Sequence, residues 1–168
     1  MSTLRVDNLN ARTGTKITVP TGTTLYAPGH TLQAVQNTYN VYTSTTSSSF
    51  VDTGLALTIT PTSANSKVLL MVSLTGIYAG ASGTYAAQQI TRNGTPIINY
   101  DNISGYNNAG AGGSNASYAY LDSPNSTSAL TYKIQIKRST GSGTLYWNNF
   151  TSSSELANSS FIAMEVGA

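Results

Sequence analysis

Along residues 130–138, LTYKIQIKR, apolar and polar side chains alternate without interruption. Leu130, Tyr132, Ile134 and Ile136 fall on one side, and Thr131, Lys133, Gln135 and Lys137 on the other. A period of two is the mark of a strand with one buried face. The same beat runs through Leu55, Leu57 and Ile59, and Pro61 closes that strand. In the C-terminal FIAMEVGA it sets Ile162, Met164 and Val166 on one face. Residues 67–78, KVLLMVSLTGIY, depart from the alternation and are apolar on both sides near their start. That pattern predicts a central strand, covered on one side by the core and on the other by a second layer or a neighbouring subunit.

Between YAAQQITR and TPIIN lies Asn93-Gly94, the pair that supplies the two positive φ angles of a tight hairpin. Residues 31–42 hold a further strand, and TSTTSSS (43–49) reads as a polar turn or loop. DNISGYNNAGAGGSN (101–115) reads as a long polar loop leading into the strand ASYAYLD, and TGSG (140–143) turns the chain into TLYWNNF. About eight to ten strands in succession predict an all-β protein, an antiparallel β-sandwich or jelly roll.

The first 33 residues are organised differently. Gly14, Gly22 and Gly29 punctuate them, and an aliphatic residue follows each at the same distance: Ile17, Leu25 and Leu32. Leu4, Val6 and Leu9 form an earlier apolar stretch, and Val19 adds to the strand material around Ile17. The units are too short for helical solenoid repeats. Each offers one or two apolar side chains that it cannot bury alone. The reading is an extended β-turn-repeat segment, 1–33, for attachment or oligomerisation, followed by a β-sandwich head, 34–168.

Charge sharpens this division. Only 8% of residues are charged, against roughly 25% in typical domains. Ser, Thr, Asn and Gly fill the deficit. The net charge of +2 belongs to the N-terminal segment, where Arg5, Arg12 and Lys16 oppose Asp7; beyond it five cations balance five carboxylates. Lys133, Lys137 and Arg138 form the one basic cluster, which reads as a solvated strand edge that discourages aggregation. No basic face interleaved with aromatics is present, so nucleic acid is not expected as a partner. Nor is membrane insertion, because the longest apolar run, residues 68–72, is far too short. MSTLRVDNLN has no apolar core, so the expectation is synthesis in a cytoplasm without a secretory signal. The absence of cysteine removes disulfides and thiolate metal sites.

Candidate chemistry is sparse. His30 is the sole histidine and sits in a Pro-Gly-His-Thr turn, so a histidine-dependent nucleophile would have to run through it. No Gly-x-Ser-x-Gly elbow occurs, and the six carboxylates stand in no signature. Gly110, Gly112 and Gly113 lead into a strand rather than the helix a phosphate loop requires. No spacing of His, Asp or Glu fits a metal, and no cofactor is expected. The Asn-x-Ser/Thr triplets follow from composition. Catalysis is therefore not expected; a carbohydrate-active enzyme, with two carboxylates paired by the fold, is the remote alternative. Binding is favoured instead by rigid rings beside Asn- and Ser-rich loops, Tyr78, Tyr85, Tyr100, Tyr106, Tyr146 and Trp147 among them, while Tyr118, Tyr120 and Tyr132 read as ordinary strand residues. Tyr106, with Asn107 and Asn108 beside it in the glycine-rich loop, is the candidate contact with a host-surface glycan or protein.

Several phrases, in order, resemble a family. STLRVDNLNARTGTKITVPTG and APGHTLQAVQ, then SFVDTGLALTITPTSANSKVLLMVSLTG, YLDSPNSTSALTYKIQI and SFIAMEVGA are similar to short tail-fibre-like virion proteins of tailed bacteriophages of marine and freshwater bacteria, cyanophages included. The middle of the chain, about 79–115, contributes little to this. The resemblance implies a non-enzymatic virion-surface protein, a homotrimer with a β head on a short N-terminal segment that joins other virion proteins. About thirty residues, extended at roughly 3.3 Å each, reach about 100 Å, a stub rather than a shaft. This keeps open a second expectation, a trimeric capsid decoration (cement) protein that clamps the phage head.

Overall fold

A computed structural model describes residues 29–105, 114–148 and 157–167. The described chain is all-β, with ten antiparallel strands. These are β1 (Thr31–Tyr39), β2 (Thr43–Thr45), β3 (Val51–Ile59), β4 (Lys67–Ala79), β5 (Tyr85–Arg92), β6 (Thr95–Gly105), β7 (Ser114–Asp122), β8 (Leu130–Thr140), β9 (Leu145–Trp147) and β10 (Ser159–Val166). One sheet has the order β1-β10-β4-β9-β2, with β7 also on β4; the other has the order β3-β8-β5-β6.

The six strands of the first sheet occupy four tracks. On one edge of β4, β10 pairs with residues 67–73 and β9 with Tyr78 and Ala79; β7 takes the other edge. β1 lies against β10 and β2 against β9. β1/β2 and β9/β10 are thus each one track, broken once. Counted in chain order, the tracks form sheets 1-8-3-6 and 2-7-4-5, the strand order of a jelly roll. The sequence reading of an antiparallel sandwich or jelly roll holds.

The break between β9 and β10 is held by Asn148, fully buried and at φ 58°. Asparagine tolerates the left-handed region better than other side chains. Its backbone N–H donates to Thr75 O (3.0 Å), its Nδ2 to Val41 O (3.1 Å), and its Oδ1 accepts from Ser159 Oγ (2.5 Å). One residue therefore ties both broken tracks to β4.

The core lies between the sheets. Val68, Leu70, Val72, Leu74, Phe161 and Trp147 meet Leu55, Ile59, Ile90, Tyr132, Ile134 and Ile136, each at most 3% exposed. Burying one such aliphatic side chain stabilises by about 1.5–3 kcal/mol. Trp147 also satisfies its indole N–H on Thr53 O at 3.0 Å. Tyr39 of β1 lies over Gly54 of β3, where an added Cβ would come within 2.3 Å of its ring and where φ is +89°. Both the space and the backbone require glycine there. The Asn93-Gly94 turn appears as read, with φ 50° and 83°, and Asn93 exchanges two 2.8 Å hydrogen bonds with Thr131.

Several local expectations are corrected. The strand expected over 31–42 ends at Tyr39, and Thr43–Thr45, expected in a loop, forms β2 because β9 offers it an edge. The loop expected over 101–115 is shorter at both ends: residues 101–105 extend β6 and Ser114 already belongs to β7. Lys133, Lys137 and Arg138 do not sit on a sheet edge. β8 runs between β3 and β5, so Lys133 and Lys137 leave the outer face of an interior strand, and Arg138, on the opposite parity, reaches Gly143 O at 3.4 Å. Leu32, assigned to the N-terminal segment, lies in β1 at the register shift between Thr31 and Gln33.

Candidate functional site

The outer face of the first sheet is built by the register of β1, β10, β4 and β7. Three rows of side chains cross it. The first is Ala34–Met164–Leu69–Leu121, the second Gln36–Ile162–Met71–Ala119, and the third Thr38–Ser160–Ser73–Ser117. None of the twelve is buried, and Leu121 is 53% exposed. Side chains in one such row stand within about 5.5 Å of their neighbours, so an aliphatic row, an apolar row that ends in the Gln36 amide and a hydroxyl row form continuous bands. Between the second and third rows a shallow hollow of about 450 Å³ opens over Met71, Ser73, Ser117 and Ser160.

Further along the same face the side chains become aromatic. Gly76, at φ 60°, and the register shift between Leu74 and Ile77 turn Ile77 inward and Tyr78 outward. Tyr78 stacks on Tyr146 of β9 at 5.5 Å, and Tyr146 stacks on Tyr42 at 5.8 Å with the rings 10° from parallel. Tyr42 is 47% exposed. Partial burial, with Tyr146 beside it, pushes its phenol above the usual range. The sheet thus carries an aliphatic end, a hydroxyl belt and a tyrosine end, with no formal charge in any of the three rows.

The carboxylates with resolved partners have structural work. Asp122, 4% exposed, accepts from Arg92 Nη1 at 2.9 and 2.8 Å, from Tyr132 Oη at 2.7 Å and from Ser123 N at 2.9 Å. It joins β7 of one sheet to β5 and β8 of the other. Burial and the adjacent Asp122 push the Tyr132 phenol up, so it stays a donor. Glu165, fully buried, accepts from Gln33 Nε2 (2.6 Å) and from Thr62 N and Oγ1 (both 2.8 Å). Burial alone would raise its pKa, but these hydrogen bonds outweigh it and hold the carboxyl below its ordinary value. Asp52 accepts from Lys133 Nζ at 2.8 Å and Gln135 Nε2 at 2.6 Å, which lowers its pKa.

Among the described residues, no group of three or more His, Asp or Glu side chains could hold a metal ion. His30 accepts the Gly167 N–H on its backbone oxygen at 2.9 Å, at the end of the sheet where β1 begins. Of the residues singled out in sequence, Leu4, Val6, Leu9, Arg12, Ile17, Val19 and Leu25 lie outside the described residues, as do Tyr106, Asn107 and Asn108. The ends of β6 and β7 that flank residues 106–113, Gly105 and Ser114, lie at the tyrosine end: Gly105 pairs with Tyr85, and Ser114 with Ile77.

The aliphatic rows escaped the sequence reading in part. The Ile162, Met164 and Val166 set was visible, but in β10 that set points outward while Phe161, Ala163 and Glu165 are buried. The only signal was the double-sided apolar start of β4, which called for a second covering layer.

No family model matches the sequence, and no curated protein matches it. Among solved structures, similarity extends to the infectious bursal disease virus VP2 subviral particle, at 11% identity and a TM-score of 0.49, over 82% of this chain and 34% of that one. The insecticidal delta-endotoxin Cry8Ea1 of Bacillus thuringiensis is similar at 14% identity and 0.40, over 75% of this chain and 20% of that one. Dimeric latent PorU of Porphyromonas gingivalis is similar at 7% and 0.41, over 88% of this chain and 14% of that one. This chain spans about a third or less of each of these proteins. At such identities and scores the likenesses assign no function.

Proposed function

We propose that this chain is a non-enzymatic structural protein of a tailed-phage virion, a short tail-fibre-like homotrimer. Its N-terminal segment joins it to other virion proteins, and its β head is turned towards the host surface. The observation that carries this reading is the bipolar layout of the head. Gly29, where the segment of residues 1–28 joins, donates to Gly167 O at 2.6 Å, and β1 starts opposite Val166. The segment enters at the aliphatic end of the sheet. The tyrosine stack and the flanks of the polar stretch 106–113 stand at the other end of β4, whose 13 residues span about 43 Å at roughly 3.3 Å per residue. An attachment segment that joins at one pole and a tyrosine stack beside the polar stretch 106–113 at the other suit a protein anchored by one end and displayed by the other. The ordered phrases that resemble tail-fibre-like proteins support the same reading.

Deleting residues 1–28 tests it. The truncated head is expected to keep its β circular dichroism spectrum and to be missing from purified virions. Normal incorporation of the truncated protein would overturn the anchor. Copy number separates this reading from a capsid decoration protein: a few tens of copies per virion fit an appendage, and hundreds fit decoration of the shell.

A further inference from the structure

We infer that the outer face of the first sheet is where a second copy of this chain docks, with Leu121 of one copy entering the hollow over Met71 and Ser73 of the other. The inference rests on the self-association within the proposed function and assigns it a surface. Two observations favour a copy of the same chain over another occupant.

The face has both halves of a fit. Leu121, 53% exposed, projects from β7, and the hollow of about 450 Å³ lies on the same face, bordered by Ala119 two residues away on the same strand. Each copy can therefore offer one projection and accept one, reciprocally in a pair or head-to-tail around a ring of three. The chemistry is also self-matching. Aliphatic rows need an apolar partner, and the hydroxyls of Thr38, Ser160, Ser73 and Ser117 both donate and accept. A charged partner would bring ions against three rows that hold no counter-charge, and their desolvation would go uncompensated.

The test is the mass of the full-length chain in solution, followed by light scattering through a dilution series. The wild type is expected to be oligomeric. Met71→Lys and Leu121→Asp should each weaken association by at least about tenfold, as an unpaired charge in an apolar contact does. Thr58→Lys, on the opposite face, should leave the mass unchanged. Leu121 is exposed within one chain, so Leu121→Asp leaves the fold intact, which circular dichroism verifies. A monomeric wild type, or variants that keep the wild-type mass at every dilution, would overturn the interface. A chain that associates through this face yet is missing from virions would instead overturn the proposed function, so the two failures are distinguishable.

Discussion

The two outer faces of the sandwich were made by the same alternating pattern and have opposite characters. On the second sheet, Asp52, Lys133, Gln135 and Gln89 form a connected chain, with Lys133 and Gln135 donating to Asp52 and Gln89 Nε2 donating to Gln135 Oε1 at 2.5 Å. Lys137 lies 4.8 Å from the centre of the Phe50 ring. Each of these long polar side chains has a neighbour in its own chain. The first sheet presents Leu69, Met71, Ile162, Met164 and Leu121 outward with no charge among them. Among the described residues, Lys133 pairs with Asp52 on the face of the second sheet and Arg92 with Asp122 between the sheets. The face of the first sheet is left to apolar contact, and that difference separates a solvated surface from an associating one.

The comparison makes its largest demand on the charge that lies on neither face. Asp122 is buried between the sheets with Arg92 and Tyr132 as donors. Asp122→Ala would leave a guanidinium and a phenol without their acceptor, at a cost of about 3–5 kcal/mol, measurable by urea denaturation. A loss below about 1 kcal/mol would mean that it behaves like a surface pair.

A smaller effect separates neighbours on β4. Leu70 faces the core and is fully buried, while Leu69 belongs to the outer aliphatic row. Leu70→Ala should cost about 3 kcal/mol. Leu69→Ala in dilute, dissociated protein should cost less than about 1 kcal/mol. Similar losses at both positions would erase the distinction between inner and outer face within one chain.

The smallest contrast is read by acid titration. Glu165 is held below its ordinary pKa by Gln33 and Thr62 despite its burial. Its ionised form therefore stabilises the fold fully above the unfolded value near about 4.3, and that contribution is lost as pH falls through the lower folded value. Glu165→Gln should flatten the acid limb of the stability curve. Asp52 is shifted in the same direction, chiefly by Lys133, but its side chain is 46% exposed. Asp52→Asn should flatten the acid limb less, and salt should reduce its effect further. A steeper dependence on Asp52 than on Glu165 would reverse the assignment of buried and solvated carboxylate.

Much of the fold was legible because period-two alternation and turn chemistry are local. LTYKIQIKR gave β8 with its inward set correct, and Asn93-Gly94 gave the β5–β6 turn. β2 was not legible, because TSTTSSS has no apolar beat and becomes strand only where β9 offers an edge. The position of Lys133, Lys137 and Arg138 was misread for a related reason: alternation does not reveal whether a strand has one neighbour or two. Gln88 shows the same limit inside the core. It is fully buried on β5, with both side-chain polar atoms lacking a hydrogen-bond partner among the described residues, and nothing in YAAQQITR says which glutamine faces inward. Most of the site residues chosen in sequence lie outside the described residues, and the outer face of the first sheet is made by register, which is non-local.

What the sequence determined by itself was the material: strands of alternating character, one positive-φ hairpin, a core-forming aliphatic set and a scarcity of charge. What tertiary structure decided was the side on which each set would lie. In FIAMEVGA a solvation argument sends Glu165 outward and Ile162 and Met164 inward, yet the reverse occurs. Alternation defines two faces without naming the inner one, and a one-residue change of register exchanges them. Hydrogen bonds from Gln33 and Thr62, 132 and 103 residues away in sequence, make the buried carboxylate tolerable and leave the aliphatic row outside.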